Sequence, residues 1–270
     1  IKLPNPPDSV KKKIVFHIKS KRNEIARLEE DTYRIIEQYK ILKNSYIEDL
    51  ITHGVRECER WKNSGERGFG NIPSHWNMLK IKRIFKIRKE IAGCEGLQLL
   101  SITQKGIVPK DISRNEGQTA ADYSKYQVVH IDDYAMNHMD LRTGWVDLSS
   151  YEGVTSPDYR VFFIDDEMRF NKDYYKYVMQ YCYIKEVFYS AAQGINENGR
   201  YRLKTDSFLN FRLMVPPIEE QVEIAKKLNE KVGAINKILE SKERFLEDLI
   251  AYKKIMFYEY VTGKKEVPKI

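Results

Sequence analysis

The sequence predicts an α+β protein in which a compact mixed domain lies between two long helices. Segment 8–53 contains no glycine or proline, and segment 218–262 contains only Gly233, so each reads as one uninterrupted helix. The residues between them form short β-rich runs punctuated by Gly, Pro, Asn and Asp. An isolated amphipathic helix of this length needs a partner for its apolar face. We therefore expect the two helices to pair as an antiparallel coiled coil.

The two helical segments are copies of one sequence, related by a constant offset of 210 residues. Pro6-Pro7 in the first copy corresponds to Pro216-Pro217 in the second, and no gap is needed. Identical residues recur at this offset for Leu3, Ile14, Lys21, Ile25, Arg34, Glu37, Lys43 and Thr52. Two long helices can also have similar sequences without duplication, because all heptad repeats resemble one another. The aligned prolines and the shared threonine favour duplication.

Both copies carry an apolar heptad in the same frame, which predicts the seam of the coiled coil. In the first copy it consists of Ile14, Ile18, Ile25, Leu28, Ile35, Tyr39, Leu42 and Tyr46. In the second it consists of Ile224, Leu228, Ile235, Ile238, Phe245, Leu249, Tyr252 and Met256. Lys21 and Lys231 interrupt the seam at matching positions. Each helix would span on the order of 65 Å.

The chain divides by these patterns into a helical region 1–55, a mixed α+β domain 56–215 and a helical region 216–270. Within the middle region, Leu97–Thr103, Tyr126–Ile131 and Tyr159–Ile164 are predicted strands. A tyrosine-rich stretch, Asp173–Ser190, is a predicted helix. The middle region is thus expected to be a mixed domain inserted between the helices.

Composition limits the possible locations and partners of the chain. The formal net charge of +7 permits a polyanionic partner such as nucleic acid. No run approaches the roughly 18 apolar residues of a membrane span, and the first residues lack the apolar core of a signal peptide. We therefore expect a cytoplasmic protein without membrane contact. Three separated cysteines support neither a disulfide framework nor a zinc site.

Two motifs invite an enzymatic interpretation, and both are incomplete. Asn5-Pro-Pro-Asp8 lacks the aromatic residue of the Asn-Pro-Pro-aromatic loop of amino-methyltransferases. Pro157-Asp158 with Glu167-Met-Arg169 has arginine where a nuclease site has lysine. The five histidines show no metal-ligand spacing. We expect no catalytic residue, no metal and no cofactor, while a small methyltransferase or nuclease stays the enzymatic alternative.

Two segments are candidates for contact with DNA, and single residues on other loops are added to them. The run Lys80–Lys89 alternates cations with apolar residues that could anchor them, and Gln193–Lys204 carries amides and guanidiniums of the kind that read base edges. A solvated basic face and a polar turn are the ordinary alternatives. The predicted DNA-binding residues, chosen by side-chain chemistry and loop placement, are Lys82, Arg83, Gln104, Lys105, Arg142, Asn196, Asn198 and Arg200.

Several phrases occur in the order known from one protein family. Arg212–Gln221 reads RLMVPPIEEQ, Gly70–Trp76 reads GNIPSHW, and Leu100–Pro109 reads LSITQKGIVP. Asn137–Gly144 and Tyr151–Tyr159 follow the pattern N-x-M, G, Y-x-G-x-x-S-P-x-Y. With the helical repeat, these motifs make the chain resemble the specificity subunits of type I restriction-modification systems.

The resemblance implies a function that the residues alone do not. Such a subunit is not catalytic: it reads one half of a bipartite site in double-stranded DNA, while its helices space the two half-sites and hold methyltransferase subunits and, through them, the restriction and translocase subunit. In this family two recognition domains alternate with two helical regions. We therefore expect a fragment with the central helix, the second recognition domain and the distal helix. A coiled-coil scaffold that binds protein is the alternative.

Overall fold

The computed structural model describes residues 4–110, 123–191 and 201–268. The helices are α1 (Asp8–His53), α2 (Lys172–Ile184), α3 (Thr205–Asn210) and α4 (Ile218–Val261). The two long helices that the sequence predicts are confirmed as α1 and α4, and so is the α+β class. Helix α2 is shorter than predicted, because Glu186 adopts a positive φ of 54° and the chain continues as a 3-10 turn, Val187–Ala191.

The chain forms two compact units, and both long helices contribute to each. The first unit comprises Ile1–Lys43 and Lys231–Ile270, and the second comprises Asn44–Glu230. The last turns of α1 and the first turns of α4 therefore belong to the sheet-rich unit. The predicted three-part division of the chain follows sequence order and stays a prediction.

In the first unit α1 and α4 run antiparallel and share an apolar seam. Early residues of α1 meet late residues of α4, since Ile25 packs with Leu249 and Met256. Further along α1, Ile36 packs with Leu239 and other residues earlier in α4. Burial of such aliphatic side chains contributes about 1.5–3 kcal/mol each. The pairing therefore holds together two helices that neither capping nor propensity would maintain alone.

The predicted heptad frame is correct at one of its two seam positions and wrong at the other. Ile25, Ile235, Leu249 and Met256 are buried as predicted, whereas Leu28 is 42% exposed. From Leu28 in α1 and from Lys231 in α4 onward, the second seam position lies one residue later than predicted, whereas Ile14 packs against the seam and Ile224 is buried. The residues that occupy it are Glu29, Ile36 and Lys43 in α1 and Val232, Leu239, Leu246 and Lys253 in α4.

The seam contains polar pairs that an apolar pattern does not reveal. Lys253 Nζ lies 3.1 Å from Glu29 Oε2, and Lys43 Nζ donates to Asn236 Oδ1 at 3.3 Å. Burial lowers the pKa of Lys43. The predicted polar interruption at Lys21 and Lys231 is wrong: Lys21 pairs with Glu24 on its own helix, and Lys231 is exposed.

The residues that the heptad misplaces form an apolar surface, which we name the outer stripe. It consists of Leu28, Ile35 and Leu42 on α1 and of Ile238, Phe245 and Tyr252 on α4. In each helix these residues recur every seven positions, and they flank the seam on the same side of the antiparallel pair. Four of the six are between 40% and 51% exposed. The two halves are related by the 210-residue offset, so the pair displays the same surface twice.

The second unit contains short antiparallel strands. They are β1 (Trp61–Asn63), β2 (Asn71–Pro73), β3 (Asn77–Lys80), β4 (Phe85–Ile87), β5 (Leu100–Thr103), β6 (Gly106–Pro109), β7 (Gln127–Val129), β8 (Tyr134–Met136), β9 (Val146–Leu148), β10 (Gly153–Thr155), β11 (Arg160–Ile164) and β12 (Arg212–Val215). A four-stranded sheet has the order β4-β11-β8-β9. The pairs β1-β2, β3-β12, β5-β6 and β7-β10 complete the described strands. The predicted strands are confirmed in shorter form as β5, β7 and β11.

The core of this unit is largely aromatic. Tyr134 stacks on Phe162 with ring centroids 5.2 Å apart, and Phe85 meets both rings edge-on. Helix α2 packs on β9 and inserts Tyr175 against Phe85. Asn171 begins α2 by accepting a hydrogen bond from Tyr174 N at 2.9 Å, which is the usual N-cap contact. The tyrosine-rich stretch is therefore a core helix.

The two ends of the inserted region meet at a buried carboxylate. Glu220, in the first turn of α4, accepts hydrogen bonds on Oε2 from His75 at 2.9 Å and from Trp76 Nε1 at 3.0 Å. Gly54 follows α1 with φ of +78°, and a Cβ there would lie 2.6 Å from Glu220 Oε1 and 2.8 Å from Trp76. Only glycine combines this backbone conformation with the available space. The motifs SHW and PPIEEQ thus join each other in the fold.

Candidate nucleic-acid interface

The basic run Lys80–Lys89 is held by its apolar members. Ile81 and Ile84 are buried, and between them Lys82 and Arg83 lie exposed on a 3-10 turn, Ile81–Arg83. The turn follows β3, whose partner β12 runs antiparallel to it. The alternation that the sequence shows therefore places two cations at the surface on a rigid base.

Two other cations of the run are committed to carboxylates. Lys86 pairs with Asp165, and Arg88 donates from Nε at 2.5 Å and Nη2 at 2.8 Å to Asp133. The bond to Asp133 raises the pKa of Arg88. Bidentate pairing leaves little capacity for a phosphate. The basic run is thus not uniform: Lys86 and Arg88 are paired with carboxylates, whereas Lys82 and Arg83 have no carboxylate partner among the described residues.

The predicted residues Gln104 and Lys105 form a two-residue turn between β5 and β6. Both side chains are exposed, and the turn is closed by Thr103, whose hydroxyl donates to Gly106 O at 2.9 Å and accepts from Lys105 N at 3.1 Å. Gly106 has a φ of 113°, which favours glycine. The hairpin therefore presents these two side chains from a defined backbone.

Arg142 lies on a second ordered turn. Asp140 Oδ1 accepts from Arg142 N at 2.9 Å and from Thr143 N at 3.2 Å, which is an Asx-type arrangement. A Cβ on Gly144 would lie 2.6 Å from Asn137 O and closer still to Asp140 O. The side chain of Arg142 is exposed at the tip. Residues of the N-x-M motif therefore build the turn that carries it.

Three predicted residues, Asn196, Asn198 and Arg200, lie outside the described residues. The described residues that follow them are tied to the Arg142 turn, because Leu141 N donates to Tyr201 O at 3.1 Å and Leu203 N donates to His138 O at 3.0 Å. The structure thus brings the Arg142 turn together with the end of the predicted reading loop.

A buried arginine supports this junction, and the sequence reasoning missed it. Arg160 is 4% exposed, and its Nη2 donates to Leu203 O at 3.1 Å and to Thr205 Oγ1 at 3.2 Å. Burial lowers the pKa of Arg160 to about 10, so the guanidinium stays charged at neutral pH. Burial, and then the positive charges of Arg160 and Arg202, lower the pKa of His138 to about 3. No spacing signal marks a single arginine inside a β-strand.

Exposed cations surround this junction, and we name them the basic rim: Lys82, Arg83, Arg142, Arg202 and Lys204. None of them pairs with a carboxylate among the described residues. Helix α3 packs against the 3-10 turn of Lys82, and Lys80 Nζ lies 3.4 Å from Asn210 Oδ1. Arg202 and Lys204 were not among the predicted residues. Their signal is the alternation around Leu203, which is buried between them.

Two further properties concern the described residues. In the ranges 4–110, 123–191 and 201–268, no group of three or more His, Cys, Asp or Glu side chains is arranged to hold a metal ion. Over the same ranges, no helix is both long and apolar enough to pass through a bilayer.

Comparison with known proteins finds sequence similarity to a type I specificity subunit. No family model matches the chain. The type I restriction enzyme MjaVIII specificity subunit of Methanocaldococcus jannaschii is 24% identical over an alignment of 283 positions that covers 100% of this chain. The chain resembles a type I specificity subunit along its whole length. It spans 63% of the length of that specificity subunit.

Solved structures agree with the fold. A chain from a study of complex assembly and conformational transition of the type I R-M system superposes with a TM-score of 0.65 at 10% identity. The match covers 96% of this chain and 61% of that one. The HsdS subunit of Thermoanaerobacter tengcongensis gives a TM-score of 0.49 at 12% identity over 97% of this chain and 61% of its own, which is too low to add to the argument. The predicted resemblance to type I specificity subunits is confirmed in sequence and in fold.

Proposed function

We propose that this chain is a non-catalytic DNA-reading subunit that recognises one half of a bipartite site in double-stranded DNA. The basic rim carries the proposal, because its five cations are exposed and have no acidic partner among the described residues. Cations of this kind neutralise phosphates and set the register of a protein on the duplex. The similarity to type I specificity subunits supports the same role.

Base reading would fall to the turns beside the rim. Gln104 and Lys105 on one hairpin and Arg142 on another turn offer amide and cationic donors for base edges. The predicted residues Asn196, Asn198 and Arg200 belong to the same proposal by their chemistry. Turns held by side-chain hydrogen bonds, such as those of Thr103 and Asp140, keep such donors in place.

Methyltransferase subunits would dock on the outer stripe, and a restriction and translocase subunit would bind through them. Exposed apolar residues in one stripe mark a protein contact, and the 210-residue repeat displays the same stripe twice. A repeated surface suits two copies of one partner. A cytoplasmic location forms part of this proposal, since the DNA would be bound there.

The test is binding of duplex DNA by the chain together with its methyltransferase subunits, across a range of salt concentrations. We expect affinity to fall linearly in a log–log plot, and the double variant Lys82→Gln/Arg83→Gln to make the slope shallower by about 0.9 for each phosphate that is no longer neutralised. Arg60→Gln, an exposed cation outside the rim, is the matched control and should leave the slope unchanged. Absence of duplex binding at low salt with the partner present would refute the proposal.

Two competing functions give different results in simple assays. A methyltransferase would bind S-adenosylmethionine saturably, whereas we expect the isolated chain to show no saturable binding and no turnover. A scaffold that recognises only protein would assemble with its partner and still ignore DNA at every ionic strength.

A further inference from the structure

The second unit has a cavity of about 320 Å³, near the lower end of the range for ligand pockets. Its walls are apolar and include Ile91, Leu97 and Val128, while Glu90 and Glu152 lie among its lining residues. It involves none of the basic rim residues. The cavity is half open and combines apolar side chains with two carboxylates.

His130 bridges these carboxylates. Its Nδ1 lies 2.9 Å from Glu152 Oε2, and its Nε2 lies 2.9 Å from Glu90 Oε2. A neutral imidazole has a single N–H, so both contacts are hydrogen bonds only when the ring is an imidazolium. The bonds to Glu90 and Glu152 raise the pKa of His130. Glu152 also accepts from Ile131 N at 3.1 Å.

The charge balance around the cavity is negative in either state of His130. Arg88 pairs with Asp133 and also lies 3.7 Å from Glu90 Oε2, so three carboxylates, Asp133, Glu90 and Glu152, face one guanidinium and at most one imidazolium. Glu90 Oε1 accepts no hydrogen bond from the described residues. A cationic group would therefore find an open acceptor beside apolar walls.

The surroundings of the cavity are apolar at the surface as well. Ile91 is 52% exposed, Leu97 is 42% exposed and Ile131 is 55% exposed. A surface that is both apolar and negative repels the phosphates of a duplex. Protein interfaces, by contrast, are enriched in arginine and bury its charge against carboxylates and its stem against apolar side chains.

We propose that this cavity receives an arginine side chain of a partner protein. The guanidinium hydrogen-bonds Glu90 and Glu152, whose planar carboxylates suit its fork of donors, and the methylene stem packs against Ile91 and Leu97. The interaction is separate from DNA reading and does not depend on it. It gives the recognition domain a protein-facing surface in addition to the basic rim.

The experiment uses the full chain and two blocked amino acids, N-acetyl-arginine amide and its neutral analogue N-acetyl-citrulline amide. The ring proton of His130, followed by NMR, should shift saturably with the arginine compound only. Affinity should rise as pH increases through the pKa of His130, since loss of the imidazolium removes a competing cation next to Glu90, Glu152, Arg88 and Asp133. Equal shifts with both compounds, or no saturation, would overturn the proposal.

Variants separate the cavity from general acidity. Glu152→Gln keeps an oxygen for Ile131 N and should weaken binding of the arginine compound at least tenfold. Glu57→Gln, an exposed glutamate elsewhere in the same unit, should change nothing. If Glu152→Gln loses its fold by circular dichroism, Glu90→Gln, whose side chain is 50% exposed, provides the same comparison.

Other occupants would also reveal themselves and would overturn the proposal. A His130 shift caused by duplex DNA would mean that this surface faces nucleic acid. A shift that depends on the concentration of the chain alone would mean that a second copy occupies the cavity. Absence of duplex binding by the native chain, with its partner present and with an intact arginine response, would contradict the proposed function and leave this inference standing.

Discussion

At the scale of single residues, the surface turns depend on contacts too specific for composition to reveal. The turn of Arg142 exists because Asp140 satisfies two backbone N–H groups and because Gly144 leaves room for the carbonyls of Asp140 and Asn137. The sequence predicted Arg142 by its chemistry and loop placement, and the motif N-x-M marked the segment. The amino-acid sequence contained no information on which glycine would lack space for a side chain.

Gly144→Ala should therefore destabilise the second unit by about 1–3 kcal/mol, because the new methyl group meets backbone that cannot move away cheaply. Urea denaturation monitored by tyrosine and tryptophan fluorescence measures the change. Gly233→Ala is the opposite case, since nothing lies within 4 Å of its Cβ position in α4. That substitution should stabilise the helix by about 0.5–1 kcal/mol. Equal changes in stability for Gly144→Ala and Gly233→Ala would contradict the steric argument.

His130 makes stability depend on pH in a predictable direction. Its folded-state pKa is raised by the bonds to Glu90 and Glu152, so its contribution is complete below the unfolded-state value of about 6.5 and is lost as pH rises through the folded-state value. The urea midpoint of the native chain should fall between pH 6 and pH 9 by more than that of His130→Gln. Parallel curves for the two proteins would show that the bridge contributes nothing.

At the scale of elements, the long helices could be predicted almost completely and their seam only in part. The absence of breakers and the repeat defined α1 and α4. The seam was half wrong, because Glu29 and Lys253 occupy it as an ion pair while Leu28 and Tyr252 stay outside. A pattern that scores apolar residues alone assigns the leucine inward. Contacts between the two helices place Glu29 and Lys253 in the seam instead, and the sequence of one helix does not contain this information.

The corrected seam gives a sharp comparison of two aliphatic residues on the same helix. Ile25→Ala, at a position 3% exposed, should lower the stability of the helical pair by about 2–5 kcal/mol. Leu42→Ala, at a position 51% exposed, should change it by less than about 0.5 kcal/mol. Thermal melts followed by circular dichroism at 222 nm distinguish the two. Similar losses of stability at both positions would support the predicted heptad frame and contradict the seam that the structure shows.

At the scale of the whole molecule, the outer stripe separates assembly from folding. Leu42→Asp together with Tyr252→Asp should leave the helix content unchanged, because both side chains are about half exposed. Under the proposed function, the double variant should lose binding of methyltransferase subunits by at least tenfold in a gel-filtration or calorimetric assay. Ala26→Asp, an exposed position off the stripe, controls for added charge. Retained assembly would show that the partner binds elsewhere.

The candidate site shows the limits of prediction at this scale. Lys82, Arg83 and Arg142 were identified from the sequence. The contacts through α3 and Leu203, which connect the segments that carry these residues, were not predicted. Arg160 contributes through a buried guanidinium that holds two backbone segments, and no motif contains it. Local patterns predict which residues are exposed and charged. Neighbours distant in sequence determine which of them share a surface.

The contact between Gly54 and Glu220 has a consequence for how such chains can diverge. Because the inserted region leaves α1 and enters α4 at points that touch through Trp76, its interior can change extensively while its two ends stay in place. Under the proposed function, recombination at these two borders would exchange one reading surface for another and leave the flanking helical turns untouched. A lineage could thus acquire a new DNA preference in one genetic event, with Gly54, Trp76 and Glu220 retained as the shared joint.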